Sequence, residues 1–319
     1  TEEARSGPVS RLSDLAEGQE ADFFALLCEK QELKTRDGKP YWRVSFRDSG
    51  REVGLPIWAD SPYALACRNE WAVGEFYKLR AKVLQTNFGP QLEIRRIRPV
   101  EDGDTADGFD PLMCQAASRF DPEQMFAELL AIAKERIDDE PLRQLVIDIL
   151  EQNRVPLLTL PAATRNHHAF VGGYLEHVLN VVRTCCHLAD KYAELYQDLQ
   201  PPIDKDLVIA GAMLHDIGKL REIAPTVAGA EYTAPGTLIG HVLQGRDIVR
   251  EAAAGRKLDA DKLLRLEHVI IAHQRLPEWG ASKPPMTPEA LIVHYADDLD
   301  AKLNMMVNVL TEDLGDGPV

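Results

Sequence analysis

Polar and apolar residues alternate with two different periods along this chain. In the first hundred residues the period is two, as in YWRVSFRD, where Trp42, Val44 and Phe46 share one face. That period is typical of a β-strand with one buried side. Segments of similar length are ADFFALLCEK, REVGLPIW, FYKLRAKVLQ and QLEIRRIR. Five short strands in about ninety residues predict a small closed barrel, for which the OB type is the common solution.

After residue 120 the apolar residues recur every three or four positions, which is the period of an amphipathic helix. The last such segment begins with Thr287 and Pro288, a cap followed by a first-turn proline. With no convincing strand among them, the segments predict an all-α domain. They are PEQMFAELLAIAKERI, EPLRQLVIDILEQN, GGYLEHVLNVVRTCCHLADKYAELY, DKDLVIAGAMLHDIGKL, TLIGHVLQGRDIVREAAA, DKLLRLEHVIIAH and TPEALIVHYADDLDAKLNMMVNVL.

The acidic, glycine-containing segment EDGDTADGFD separates the two patterns and has the composition of an exposed linker. We therefore expect an α+β multidomain chain. Its parts would be an OB-type β-barrel at residues 1–100, an acidic linker at 101–120 and an all-α domain at 121–319.

Charge and cysteine content narrow the classes of function. The net charge is −15, but residues 1–100 hold 16 Lys+Arg against 15 Asp+Glu, so contact with a polyanion is expected there. Five cysteines without a C-x-x-C pair favour free thiols in a reducing compartment. No apolar run is long enough for a bilayer, and TEEARSGPVS does not resemble a signal peptide. We expect a cytoplasmic protein without a membrane partner.

Histidine and aspartate residues in the helical half predict a metal site. His177, the adjacent pair His215-Asp216, and Asp297 all lie in apolar helical segments. Buried polar side chains are costly without partners, and one divalent cation would satisfy all four. Nitrogen and oxygen ligands without thiolate suit Mn²⁺, Fe²⁺, Ni²⁺ or Zn²⁺ better than Ca²⁺. A single helical histidine is more often a core or surface residue, but the pair within AGAMLHDIGKL outweighs that interpretation.

This H…HD…D arrangement resembles the HD-domain metal phosphohydrolase superfamily, and AGAMLHDIGKL resembles its central motif. The resemblance implies one cation on His177, His215, Asp216 and Asp297. It implies a second on His241 and His273, with Asp216 as the bridge. Lys219 matches the lysine that contacts the scissile phosphate, so Asp216 and Lys219 are the expected catalytic residues. Mn²⁺ is the expected ion, with Fe²⁺, Ni²⁺, Zn²⁺ or Mg²⁺ as alternatives. Gln274 departs from many related sequences, which carry a second histidine there.

The barrel half offers residues suited to a nucleic acid strand. Lys78, Arg80 and Lys82 form a basic stripe on the polar face of one predicted strand. OB-type barrels commonly bind single strands through basic grooves and stacking aromatic rings. An ordinary solvated strand face remains an alternative for the stripe, and the role of Trp58 is left open. Further candidates for stacking or phosphate contact are Tyr41, Arg43, Arg47 and Phe88.

Barrel, linker and helical domain together resemble the YhaM family of 3′→5′ exoribonucleases. The resemblance includes RLSDLAEGQEADFF, GKPYWRVSFRD, PAATRNHHAFVGGYLEHV, EWGASKPPMTPEA and ADDLDAKLN. It implies a metal-dependent exonuclease acting on single-stranded RNA, with DNA kept open as a substrate. His167 and His168 would then approach the substrate or order their loop. Alternatives are an HD-domain phosphohydrolase of free nucleotides or cyclic dinucleotides, and a nucleic-acid-binding adaptor with an inactive HD fold. The oligomeric state is left open, although exposed helices would allow a homo-oligomer.

Overall fold

A computed structural model describes residues 9–35, 37–86, 89–164, 168–226 and 229–312. The chain divides into two compact units, Thr1–Ala117 and Ser118–Val319. We describe each unit by itself and call them the N-terminal and C-terminal units.

The described part of the N-terminal unit is built on one antiparallel sheet with the strand order β3-β2-β1-β4-β5. Strand β3 also approaches β5, which closes the sheet on itself, and a short helix lies between β3 and β4. This is the arrangement of an OB-type barrel. The elements are β1 (Glu20–Lys34), β2 (Pro40–Arg47), β3 (Glu52–Trp58), α1 (Ala64–Asn69), β4 (Phe76–Thr86) and β5 (Gly89–Pro99).

The core of the barrel follows the predicted alternation. Trp42, Val44 and Phe46 are buried, while the intervening Arg43 is exposed. On β4, Tyr77 and Leu79 point into the same core. Each buried side chain removes apolar surface from water, so the period-two pattern selects the inner face.

The acidic segment after β5 differs from the expected exposed linker in one respect. A 3-10 helix at Asp102–Thr105 places Asp104 at 2% exposure. Its carboxylate accepts two hydrogen bonds from Arg98, at 2.6 and 2.7 Å, and one from Lys78 at 3.3 Å. These cations lie on β4 and β5, so the segment belongs to the N-terminal unit up to Ala117.

The described part of the C-terminal unit is mainly helical. Asp121, Asp139, Asp204 and Asp259 each precede a helix and accept a hydrogen bond from its first turn. Helix α6 is buried along most of its length and packs against α5, α10 and α11. No described helix has the length and apolarity to cross a membrane. The helices are α2 (Pro122–Arg136), α3 (Glu140–Gln152), α4 (Arg154–Thr159), α5 (Gly173–Leu195), α6 (Lys205–Leu214), α7 (Lys219–Glu222), α8 (Ala234–Leu238), α9 (His241–Ala253), α10 (Ala260–Ala272) and α11 (Pro288–Glu312).

Two details correct the sequence-based expectation for this unit. A hairpin of β6 (Ile223–Thr226) and β7 (Gly229–Tyr232) interrupts the helices, and strands of four residues are too short to show an alternating pattern. Helix α6 also ends at Leu214, so His215 and Asp216 lie in the turn that follows it. A Cβ at Gly218 would lie 1.9 Å from the carbonyl oxygen of His241. Only glycine therefore permits this turn to pass so close to α9.

Candidate metal centre

The structure brings together all six residues predicted as metal ligands. Apart from the adjacent His215 and Asp216, they come from separate elements, so only the packed unit assembles them. Four of the side chains are at most 1% exposed, Asp297 is 8% exposed, and His241 is partly buried. Their positions are His177 on α5, His215 and Asp216 after α6, His241 at the start of α9, His273 after α10, and Asp297 on α11.

One set of candidate ligands surrounds Asp216 Oδ2. His215 Nε2 lies 3.5 Å and His177 Nε2 3.7 Å from that oxygen. Asp297 Oδ1 lies 3.2 Å from His177 Nε2 and 3.8 Å from His215 Nε2. Two imidazoles and two carboxylates thus face one small volume, which is a donor set that suits a first-row divalent cation.

A second set surrounds the other oxygen of Asp216. His241 Nε2 lies 3.3 Å and His273 Nε2 3.5 Å from Asp216 Oδ1. The two oxygens of one carboxylate therefore face two different pairs of imidazoles. A carboxylate placed in this way can bridge two cations.

Each of the four imidazoles is held through its Nδ1 atom. Because the partners are carboxylates or carbonyl oxygens, each Nδ1 must donate, which in a neutral ring leaves Nε2 as a lone-pair acceptor. Such partners fix the orientation of a metal-binding histidine. The hydrogen bonds run from His177 to Asp300 (2.7 Å), from His241 to Glu222 (2.8 Å), from His215 to the Ala212 carbonyl (2.8 Å) and from His273 to the Ile270 carbonyl (2.6 Å).

These atoms fit a divalent cation. In neutral rings, the lone pairs on Nε2 and on the carboxylate oxygens repel one another unless a proton or a cation lies between them. Asp216 Oδ1 and His241 Nε2 are buried, and within the described part of the chain neither has a hydrogen-bond partner. Unpartnered buried polar atoms are costly, and a bound cation would satisfy both.

The pKa shifts of the residues in the centre also indicate that the site favours a positive charge. Burial opposes ionisation of Asp216, but Lys219 and His215 outweigh it and hold the pKa of that carboxyl well below its usual range. Burial would lower the pKa of His177, but Asp297 and Asp300 outweigh it and raise the value to about 9. At His215 burial dominates and lowers the pKa to about 4. The centre therefore combines two firmly ionised carboxylates with imidazoles of unlike proton affinity.

Lys219 lies beside the bridging carboxylate. Its Nζ atom is 2.6 Å from Asp216 Oδ2, and its side chain is 8% exposed. Burial would lower the pKa of Lys219, but the charge of Asp216 outweighs it and raises the value. The centre thus holds a charged ammonium group at the position for which the family resemblance implies a phosphate contact.

His168 contacts the metal centre indirectly, through Asp300. It is 1% exposed, and its Nε2 donates to Asp300 Oδ2 at 3.0 Å, so it holds the carboxylate that in turn holds His177. Asn304 Oδ1 accepts from its backbone N–H at 3.0 Å. The sequence left two roles open for His168, namely ordering its loop or approaching the substrate. These contacts support the first role. His167 lies outside the described residues.

Sequence reasoning missed Glu222 as the partner of His241 and Asp300 as the partner of His177. Nothing in the sequence pairs position 222 with 241, because the contact forms only when the end of α7 meets the start of α9. Gln274, the departure from the family pattern, lies with its Nε2 3.1 Å from His273 Nε2. Its amide therefore borders the second set of ligands.

In the N-terminal unit, two cations of the predicted basic stripe are already paired. Lys78 contacts Asp104 at 3.3 Å and Asp107 at 2.5 Å. Arg80 donates two hydrogen bonds to Asp22, at 2.9 and 2.6 Å. The third cation, Lys82, stands opposite Glu20 on β1 and Glu93 on β5. Acidic residues on β1, on β5 and in the segment after β5 thus offset the stripe's charge.

A different face of the barrel carries unpaired apolar surface beside basic groups. Tyr41 on β2 and Trp58 on β3 are opposite one another, with ring centroids 4.9 Å apart, and Trp58 is 47% exposed. Arg43 is exposed on the same side of β2, whereas Arg47, further along the strand, is partly buried and its Nε atom is inaccessible. This Tyr41–Trp58 pair is a better candidate for contact with a nucleic acid strand than the basic stripe, because it offers an exposed ring for stacking. Phe88 lies outside the described residues.

Comparisons with known proteins find one matching family model and several similar solved structures. Residues 174–302 match the family model of the HD domain. The second OB-fold domain of replication protein A from Methanococcus maripaludis is 16% identical, with a TM-score of 0.23, covering 30% of this chain and 96% of that one. Schizosaccharomyces pombe Pot1pC, solved bound to single-stranded DNA, is 14% identical, with a TM-score of 0.25, covering 32% of this chain and 93% of that one. At these TM-scores the likeness adds nothing to the strand order, which by itself identifies the barrel type.

Proposed function

We propose that this chain, with its helical HD domain and its OB-type barrel, is a metal-dependent 3′–5′ exonuclease that hydrolyses single-stranded RNA to nucleoside monophosphates. HD domains are typically metal-dependent phosphohydrolases, and the His/Asp cluster is compatible with a divalent cation. The observation that carries the proposal is the position of Asp216, whose two oxygens face two different pairs of imidazoles. We expect two Mn²⁺ ions there, with Fe²⁺, Ni²⁺, Zn²⁺ or Mg²⁺ as alternatives.

The roles of the residues follow from their positions. When bound, divalent ions would supply an activated water molecule and neutralise the phosphate oxygens. His177, His215 and Asp297 would hold one ion, His241 and His273 the other, with Asp216 shared. Lys219 is buried and charged, so its ammonium group can stabilise the negative charge that develops on the phosphate. Asp300 and Glu222 keep the ligand imidazoles oriented.

A polymer substrate is supported by the N-terminal unit. OB-type barrels commonly bind oligonucleotides on the face of strands 2 and 3, where Tyr41 and Trp58 lie in this chain. Stacking on aromatic rings tolerates any base, which suits an enzyme that shortens a strand nucleotide by nucleotide. Arg43 would contact the phosphate backbone beside this pair. The preference for RNA rests on the resemblance to the YhaM family.

The test is incubation of a 5′-labelled single-stranded RNA with the protein and Mn²⁺. We expect a ladder of products that shorten from the 3′ end and retain the label. Intact RNA, together with hydrolysis of free nucleotides or cyclic dinucleotides, would support the alternative phosphohydrolase instead. RNA that is bound but never cut by the Mn²⁺-loaded protein would support the adaptor.

A further inference from the structure

A cavity of about 320 Å³ connects the metal centre to the surface of the C-terminal unit. Its buried end includes Asp216 and Lys219, at 1% and 6% exposure. Its exposed end includes Trp279 and Met305, at 51% and 40% exposure. The cavity is at the lower end of the range for small-molecule sites. It thus offers a charged end for a phosphate and an apolar end for a flat ring.

Trp279 is held at this cavity by a short and well-connected loop. The loop leaves α10 directly after the predicted ligand His273 and turns at Arg275, whose φ of +63° is unusual for a residue other than glycine. A 3-10 helix, Pro277–Trp279, follows. The loop is then tied back, because Ser282 N–H donates to the Ile271 carbonyl at 3.1 Å and Ala281 N–H to the Leu276 carbonyl at 3.2 Å.

The loop keeps a large aromatic ring half in water, although tryptophan is highly buried on average. An exposed aromatic ring that borders a concave site is characteristic of a ligand contact. Met305 adds a polarisable side chain to the same cavity, and methionine adapts to flat aromatic partners. Backbone strain at Arg275 is consistent with a functional loop, since such residues cluster at binding sites.

From these contacts we propose that Trp279 and Met305 form the base-binding wall of the active site. The base of a nucleotide stacks on Trp279 while its phosphate lies beside Asp216 and Lys219. This inference rests on the proposed function in one respect, namely that a phosphate ester occupies the metal centre. It adds a recognition element that the metal chemistry does not require: the enzyme selects esters that carry a nucleobase.

The test measures binding to the full-length, Mn²⁺-loaded protein, with adenosine 5′-monophosphate and ribose 5-phosphate as probes. These ligands share the phosphate and the sugar and differ by the base. We expect the wild-type protein to bind the adenosine nucleotide more tightly by a factor of about 5 to 150, the range for one stacked base. Trp279→Ala removes that difference and leaves the affinity for ribose 5-phosphate unchanged, whereas Trp279→Phe retains most of it.

A matched control is Tyr196→Ala, which removes another exposed aromatic ring of the same unit, at 55% exposure and outside the cavity. Its preference for the adenosine nucleotide stays as in the wild type. Thermal unfolding and Mn²⁺ content verify that each variant is folded and loaded.

The inference is overturned if the wild-type protein binds both ligands equally, if it binds neither at millimolar concentration, or if Trp279→Ala weakens both alike. Its failure is distinguishable from failure of the proposed function, because the binding assay requires no RNA cleavage. Intact RNA with a Trp279-dependent base preference refutes the exonuclease and retains the base-binding wall. A ladder of 3′-shortened RNA without that base preference supports the exonuclease and refutes the base-binding wall.

Discussion

His177 donates a hydrogen bond of 2.7 Å from Nδ1 to Oδ2 of Asp300, so a carboxylate on α11 fixes an imidazole on α5. The opposite nitrogen of that ring faces Asp216 and Asp297. His168 adds a second hydrogen bond to Asp300 from the far side. The centre is therefore built in layers, with ligand atoms inside and their orienting partners outside.

Because Asp300 orients His177, we expect Asp300→Asn to weaken metal binding, although Asp300 is not itself an expected ligand. Loss of such a partner costs about 10- to 100-fold in metal affinity. The measurement is calorimetric titration with Mn²⁺. The matched control is Asp190→Asn on α5, the helix of His177; its carboxylate pairs with Arg136 and Lys205 outside the cavity and should not affect the affinity. Equal affinities in the two variants would contradict the orienting role of Asp300.

Lys219→Met should separate catalysis from metal binding. Removal of a donor that stabilises the transition state typically lowers kcat by about 10² to 10³. Mn²⁺ affinity should not fall, because the variant removes an ammonium group 2.6 Å from Asp216 that repels a cation. Steady-state kinetics and Mn²⁺ titration of one preparation check both parts. A parallel loss of affinity and kcat would instead show that Lys219 holds the centre together.

Trp58→Ala and Arg80→Ala should have different effects on the N-terminal unit. We expect Trp58→Ala to weaken binding of single-stranded RNA by about fivefold or more, because it removes an exposed stacking surface. Arg80→Ala leaves Asp22 buried without its two hydrogen bonds, so it should lower the melting temperature. RNA-binding titrations and thermal unfolding separate these effects. If Arg80→Ala weakened binding as strongly at unchanged stability, the basic stripe would be the interface after all.

Asp104 predicts a pH dependence of stability. The Arg98 guanidinium outweighs burial and holds the pKa of the Asp104 carboxyl well below its usual range, with help from the Glu101 N–H and Lys78. A lowered pKa in the folded state adds stability above the unfolded pKa, and this stability is lost as pH falls through the folded pKa. Asp104→Asn should therefore destabilise the protein at pH 7 by about 1–3 kcal/mol. Urea unfolding should show a smaller difference from wild type at pH 3, and an equal or larger one would refute the assignment.

Features that depend on local pattern could be predicted from the sequence. The alternation in β2 follows from which side chains are apolar, and helix starts follow from residues such as Asp121 and Asp204. His215 and Asp216 were identifiable because polar residues next to each other in an apolar segment require a shared partner. Even there the local prediction extended the helix too far, since the turn depends on contact between Gly218 and α9.

Features that depend on tertiary contacts could not be predicted. The opposition of Tyr41 and Trp58 is set by the register of β2 with β3, and a shift of one residue would separate them. From the sequence, the charge of Arg80 was expected to be free to contact a nucleic acid, because its partner Asp22 is 58 residues away in sequence. The carboxylates that orient the ligand imidazoles are likewise distant in sequence and common in composition.

The most direct measurement is the number of Mn²⁺ ions bound per chain, determined by equilibrium dialysis of the wild type and Asp216→Ala. The bridging position of Asp216 predicts two ions per wild-type chain and the loss of both in the variant at the same free concentration. A wild-type chain that binds no Mn²⁺, or an Asp216→Ala chain that binds as many ions as wild type, would contradict a metal centre built around this residue.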